Sequence, residues 1–402
     1  MTSSARFSSF DGLRGWAALV VAVSHIASNF IFSSLKFPTL SSLTAGPTPT
    51  VSYLGRFMEA CFLSLYWNFQ NGALAVRVFF VLSGFVLSIG TLLTGNPRVI
   101  LNQAVRRYPR LTIPILAATF IGFVLMISGG MHNVAAASVG GRGWIDEFYS
   151  FPASMIDALK FAVLDVYFHY DPEHSYDFAM WTMGVEIAGS FVTFSILFLR
   201  GGGKWTLILY PIAATMLLLI QPNLICFLFG MLIAELVANK SLSVNRSVKW
   251  ASVALSPVLL FGSIVASKLP DNSVKELWLT LLAAEIVVLV AVVPTVRAAL
   301  SGGLSQALGA ISFPLYLVHP LVLCSIGSTM ALDFLNAGGP FSLAARLLVV
   351  TSILVTSVIA AIAFLPVERL AVGTSRALGN FFIPLARAAV TKAAVTNHGY
   401  DP

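Results

Sequence analysis

Residues 73–93, ALAVRVFFVLSGFVLSIGTLL, contain a single charged residue, Arg77. A helix that crosses the hydrocarbon core of a bilayer needs about 20 mostly apolar residues. This stretch therefore predicts a transmembrane helix. The rest of the chain agrees, since 57% of its 402 residues are hydrophobic and only 10% are charged, against about 25% charged in soluble domains. So few charges cannot cover a soluble protein, and the lipid bilayer is the predicted partner.

Nine further stretches come near the length of a span and bring the predicted count to ten. They are residues 12–32, 111–128, 178–199, 205–220, 223–239, 250–267, 277–297, 310–330 and 344–366. The predicted fold class is all-α, a polytopic membrane bundle of about ten transmembrane helices. The short spans at 205–220 and 223–239 indicate a tight helical hairpin. We expect one transmembrane domain over residues 1–370 and a short basic cytosolic tail over 371–402.

The basic residues predict the orientation of the chain. If the N-terminus is cytosolic, sixteen of the 24 Lys and Arg residues fall on the cytosolic side. Cytosolic loops of membrane proteins carry an excess of Lys and Arg. The bias favours a multi-pass protein of the plasma membrane or an endomembrane with both termini in the cytosol. It also explains the net charge of +7 without nucleic acid as a partner.

Two long loops are predicted on the opposite side, at about 33–72 and 129–177. Residues 155–167 of the second loop have the pattern of an amphipathic helix that lies at the interface. The loop aromatics are typical of an interfacial belt, although they would also suit a sugar or lipid acceptor. They include Trp67, Trp144, Tyr149, Tyr167 and Tyr170.

Three ionisable residues lie deep within the predicted spans. Counting the helical rise places His25 about 16 Å beyond Arg14, Glu186 about 12 Å from the non-cytosolic side and His319 about 13 Å from the cytosolic side. Charged residues inside a membrane are costly and usually functional. These three groups are therefore expected to meet at a similar depth. Each also has a structural alternative, a histidine bonded to a neighbouring helix or Glu186 paired with an arginine.

Arg107 and Arg110 stand at the predicted cytosolic start of the third span and share one helix face. Such a pair suits bidentate binding of phosphate, or it anchors the span as positive-inside residues do. Cys226 and Cys324 lie in apolar runs, and no Cys/His cluster has metal-ligand spacing. No metal is expected.

Two functions fit these residues. In a proton-coupled small-molecule transporter, the buried His and Glu would relay protons. In a membrane enzyme, His25 would act as general base. We favour the enzyme because the chain lacks the two related halves common in transporters. A phosphate-binding mouth and a deep histidine also suit coenzyme A.

Five stretches in order resemble motifs of the acyltransferase 3 family, membrane enzymes that transfer acyl groups, usually from acyl-CoA, to hydroxyls. They are FDGLRGWAALVVAVSH, VRVFFVLSGFVLS, RRYPRLTIP, MWTMGVEIAGSF and ISFPLYLVHPLVL. Met183 stands where the family usually has Leu, and Phe313 stands where it usually has Tyr.

The resemblance implies roles for the matching positions. Arg14 and His25 match the pair held essential for transfer, and Arg107 and Arg110 match the pair thought to engage the donor. Glu186 is then a further catalytic candidate. His319, Asp11 and Trp181, from the same motifs, are candidates for substrate binding.

The expected reaction is O-acylation, with His25 as general base and acyl-CoA, by default acetyl-CoA, as donor. The resemblance implies a small-molecule or glycan acceptor, such as a carbohydrate, a glycolipid or a secondary metabolite.

Overall fold

In the computed structural model, every regular element of the described residues is a helix. The structure describes residues 3–32, 71–140, 144–200, 206–239, 252–258, 273–337 and 342–397, together with residues 250 and 262. The all-α prediction is confirmed for this part of the chain.

The helices are numbered here in chain order. They are α1 (Ser3–Ala27), α2 (Gly72–Thr94), α3 (Arg98–Ile127), α4 (Asn133–Gly140), α5 (Met155–Lys160), α6 (Thr182–Arg200), α7 (Thr206–Ile220), α8 (Ile225–Ala238), α9 (Ser273–Val292), α10 (Pro294–Leu300), α11 (Gly303–Ala310), α12 (Ser312–Val322), α13 (Ser328–Asn336) and α14 (Leu343–Asn397). Wider π-helical turns extend α1, α5 and α12, and a 3-10 turn, Phe178–Trp181, precedes α6.

The predicted count of ten spans is not confirmed. Five described helices are long and apolar enough to cross a membrane, and a sixth span is formed if α9 and α10, which are bent by 95°, count as one. Helix α1 is not among them because Asp11, Arg14 and His25 lower its hydropathy. Helices α7 and α8 are apolar but short, and the predicted hairpin between them is present. Half of the predicted span at 250–267 and nearly all of the predicted loop at 33–72 lie outside the described residues.

Helix α2 lies at the centre of the bundle and packs against α1, α6, α8 and α9. Its closest approach is to α8, where glycines let the two backbones meet. A Cβ added to Gly84 would lie 2.2 Å from the Phe227 carbonyl oxygen, and one added to Gly230 would lie 2.0 Å from the Val81 oxygen. Small residues commonly allow such close packing between membrane helices.

The one charge within α2 is paired. Arg77 is buried and forms an ion pair with Glu276 of α9, and its Nη1 donates to the Ala73 oxygen at 2.9 Å. A charged side chain at this position is tolerated because Glu276 neutralises its charge and both terminal nitrogens have acceptors.

The segment between α3 and α6 folds back onto the bundle. The His132 N–H donates to the Cys324 oxygen at 2.9 Å, and α4 packs against α13. The predicted amphipathic helix is present as α5 and its extension. The interfacial-belt interpretation is wrong for Tyr149 and Tyr167, which are buried, because this segment packs its aromatics inward.

Helix α14 packs along α3 and α12. It passes without a break through residue 370, where the predicted domain ends, and that boundary stays a prediction. Its residues around position 376 approach the functional site described below.

Candidate active site

Two histidines from distant parts of the chain face each other in the bundle. His25 Nδ1 of α1 lies 2.9 Å from His319 Nε2 of α12, and the two rings stack with centroids 5.2 Å apart. His319 Nδ1 lies 3.0 Å from the Leu315 carbonyl oxygen. His319 is fully buried, and His25 is partly buried.

The Leu315 carbonyl assigns the tautomers of both rings. A carbonyl oxygen can only accept, so His319 Nδ1 carries a hydrogen and, in the neutral ring, Nε2 carries a lone pair. That lone pair accepts the hydrogen of His25 Nδ1. The remaining nitrogen, His25 Nε2, is then an unprotonated acceptor, which is the form that a general base needs.

Aromatic side chains from the folded-back segment surround His25. The rings of Trp144 and Phe178 meet it edge-on, at centroid distances of 5.3 and 5.4 Å. Trp144 Nε1 donates to Ser28 Oγ at 3.1 Å. Trp144 therefore belongs to the histidine site and not to an interfacial belt.

The start of α2 also approaches His25. A Cβ added to Gly72 would lie 2.4 Å from Ser24 Oγ and 4.0 Å from His25 Nε2. Gly72 thus keeps open the space beside the free nitrogen of His25.

Asp177 precedes the turn that carries Phe178. Its Oδ1 accepts the Ala179 N–H at 2.9 Å. Burial raises the pKa of the Asp177 carboxyl well above its usual range, because the charged form is poorly solvated there. Asp177 therefore caps the turn that brings Phe178 to His25.

A cavity of about 660 Å³ is lined by residues of α1, α2, α3, α6, α11, α12 and α14. Its wall includes Phe79 and Tyr316, whose ring centroids are 5.9 Å apart. The centroid of the Tyr316 ring lies 6.0 Å from that of the His319 ring. One layer of side chains therefore separates the cavity from the histidine pair.

The ionisable residues of the cavity wall are mostly arginines. Five arginines and three carboxylates line it, and they are Arg14, Arg106, Arg107, Arg110, Arg376, Asp11, Glu186 and Glu368. The arginines therefore outnumber the carboxylates by two.

Two of these arginines are held by carboxylates. Arg107 forms an ion pair with Glu186, and its Nε donates to Ser190 Oγ at 2.7 Å. Ser83 Oγ donates to the same Glu186 oxygen at 2.5 Å. Arg110 Nη2 lies 3.7 Å from Oε1 of Glu368, which is on α14. Among the described residues, neither Arg14 nor Arg376 has an ion-pair partner.

The sequence-predicted residues thus fall into two groups. His25 and His319 meet, whereas Glu186 lies with Arg107 in the cavity wall, as its structural alternative supposed. Asp11 also lines the cavity. Trp181 is 41% exposed and, within the described chain, is not part of the cavity wall.

The sequence reasoning missed several site residues. Glu368 could have been predicted, because an acidic residue in an apolar helix is a functional candidate. It was missed because the predicted span ended at residue 366. Tyr316 lies in the quoted motif ISFPLYLVHPLVL, three residues before His319. Gly72 and Phe178 carry no such signal, because only the tertiary fold brings them to His25.

The comparisons with known proteins agree with the motifs quoted above. Residues 7–365 match the family model described as an acyltransferase domain. The match covers most of α1, all of α2 to α13 and the first part of α14. No curated protein and no solved structure matches the chain. Because the family match extends over nearly the whole chain and the helices are those of a membrane protein, the protein belongs to the acyltransferase 3 family of membrane acyltransferases.

Proposed function

We propose that the protein is an O-acyltransferase that moves an acyl group from acyl-CoA to a hydroxyl of a carbohydrate, a glycolipid or a secondary metabolite. Acetyl is the expected acyl group. The observation that carries the proposal is the 2.9 Å contact between His25 Nδ1 and His319 Nε2. It favours a neutral His25 with a free Nε2, as a general base requires.

The cavity supports coenzyme A as the carrier of the acyl group. Its volume of about 660 Å³ is typical of small-molecule sites, and its excess of arginine suits phosphates. Arg14 and His25 are on one helix, about 16 Å apart along its axis. A donor with its phosphates near Arg14 and an extended arm would bring its thioester toward His25. The arm has to pass the layer that Tyr316 forms between the cavity and His319.

In the proposed reaction, His25 Nε2 takes the proton of the acceptor hydroxyl while the oxygen bonds to the thioester carbonyl carbon. The C–S bond then breaks, and the thiolate of coenzyme A leaves with the proton that His25 returns. An ester and a free thiol form, and no proton is gained or lost. His319 holds His25 in the required tautomer and is a positioning residue.

His319 variants test this positioning role. His319→Gln keeps an acceptor oxygen near the place of Nε2, whereas His319→Leu removes it. We expect His319→Leu to lower kcat about 10- to 100-fold, because a base that is misplaced by about 1 Å can lose that much. His319→Gln should keep most of the activity and the wild-type pH profile. Equal losses in both variants would contradict the role.

The function itself is tested by mass spectrometry of small molecules and glycans from cells that express the wild-type protein or His25→Asn. The proposal expects a product heavier by one acyl group, an acetyl in the default case, in the wild-type cells alone. Identical extracts, together with proton-coupled uptake by vesicles that contain the purified protein but no acyl-CoA, would instead favour the transporter.

A further inference from the structure

We propose that Arg376 and Arg106 form a phosphomonoester site at the outer end of the cavity, which binds the 3′-phosphate on the ribose of coenzyme A. The inference rests on the proposed function and extends it to a part of the chain beyond residue 365, where the family match ends.

The charges of the cavity wall lead to this site. Glu186 neutralises Arg107, and Glu368 lies beside Arg110. Arg376 also lines the cavity, is exposed and, among the described residues, has no ion-pair partner. A cationic side chain that faces a cavity and has no carboxylate as an ion-pair partner is suited to an anionic ligand.

Arg106 stands next to it on the neighbouring helix. Its Nε donates to the backbone oxygen of Ser375 at 3.4 Å, which leaves its terminal nitrogens for another partner. A Cβ added to Gly379 would lie 3.0 Å from Arg106 Cγ and Cδ. Helices α3 and α14 are therefore in close contact here, and the stem of Arg106 is held against α14.

Arg106 and Arg376 lie further from the histidines than Arg107 and Arg110 do. Arg106 is one turn before Arg110 on α3, about 6 Å along the axis, and Arg376 is two turns beyond Glu368 on α14, about 12 Å. The contact between Arg106 and Ser375 shows that both displacements are toward the same end. This end is the α1 end of the cavity, where Arg14 precedes His25 by three turns.

The order of groups in coenzyme A matches this order of cations. With the thioester directed at His25, the pyrophosphate lies between it and the nucleotide, and the ribose 3′-phosphate is at the far end. A phosphomonoester carries up to two negative charges and three acceptor oxygens, as a phosphorylated side chain does. Two guanidinium groups from different helices can bind it together, each through two parallel hydrogen bonds.

The test compares the binding of coenzyme A and of 3′-dephospho-coenzyme A, by isothermal titration calorimetry, to protein in phosphatidylcholine nanodiscs. Wild-type protein should bind coenzyme A about 10- to 100-fold more tightly than 3′-dephospho-coenzyme A, because hydrogen bonds between charged groups are stronger than those between neutral groups. Arg376→Ala should lose most of this preference by weakening coenzyme A alone, and Arg376→Lys should keep part of it. Arg369→Ala is the matched control, because Arg369 is also exposed on α14 but is not in the cavity wall.

Two results with Arg376→Ala would overturn the site. One is an equal effect of Arg376→Ala on both ligands. The other is an effect that is seen only when anionic phospholipid is added to the nanodiscs, which would assign Arg376 to a lipid headgroup. Binding of both ligands without any preference in wild-type protein would refute this site but leave the proposed function intact. Binding of neither ligand would refute both.

Discussion

Replacing His25 by asparagine is expected to lower the rate of acyl transfer by about 10²- to 10⁴-fold, the range for loss of a general base. The asparagine amide can occupy the place of Nδ1 and still donate to His319, whose Nε2 lies 2.9 Å from that atom in the wild type. It has no atom at the place of Nε2. The change therefore removes the base and keeps the contact that orders the site.

Two measurements on one preparation separate chemistry from folding. Release of free coenzyme A from acetyl-CoA, in the presence of a small-molecule and glycan extract, reports turnover. Titration with coenzyme A reports donor binding, which should stay within about twofold of wild type because His25 lies beyond the cavity wall. Turnover at the wild-type rate would contradict the base assignment, and loss of donor binding would point to a structural role.

The second large effect concerns stability. Glu186→Met leaves Arg107 without its carboxylate, in a place where the arginine side chain is 13% exposed. Breaking a buried ion pair by removal of one partner costs about 3–5 kcal/mol. We therefore expect a much lower midpoint in detergent-induced unfolding. Glu173→Gln is the control. Because Glu173 is exposed, this variant should unfold at the same midpoint as the wild type.

Adding Arg107→Met to Glu186→Met should restore most of this stability, because apolar replacement of both partners is often neutral or favourable. The double variant should bind coenzyme A more weakly than the wild type, because it has lost the cation that Ser190 and Glu186 position. A double variant as unstable as Glu186→Met would show that the ion pair is not the cause. Normal donor binding in it would remove Arg107 from the donor site.

The sequence predicted the helical membrane fold and the meeting of His25 with His319, because helical rise converts residue spacing into depth. It did not predict which partner Glu186 has. The physical reason is that α3 begins at Arg98, well before the expected span start at 111. Arg107 and Arg110 consequently lie inside a continuous helix, where Glu186 can reach Arg107.

The aromatic wall of the site was also beyond prediction. Trp144 and Phe178 contact His25 only because the segment between α3 and α6 folds back over the bundle, and hydropathy does not encode such a fold-back. The count of ten spans is not confirmed among the described residues, in part because α7 and α8 have the composition of a span but are shorter than one.

The central claim is that the arginine-lined cavity delivers acyl-CoA to His25 from the side of the membrane where α1 begins. The most direct test uses sealed vesicles sorted by the side on which an N-terminal tag is exposed, with labelled acetyl-CoA outside and the acceptor extract on both sides. Vesicles with the tag outside should consume the donor, and vesicles with the tag inside should consume it only after permeabilisation. Equal consumption by both populations before permeabilisation would contradict the claim.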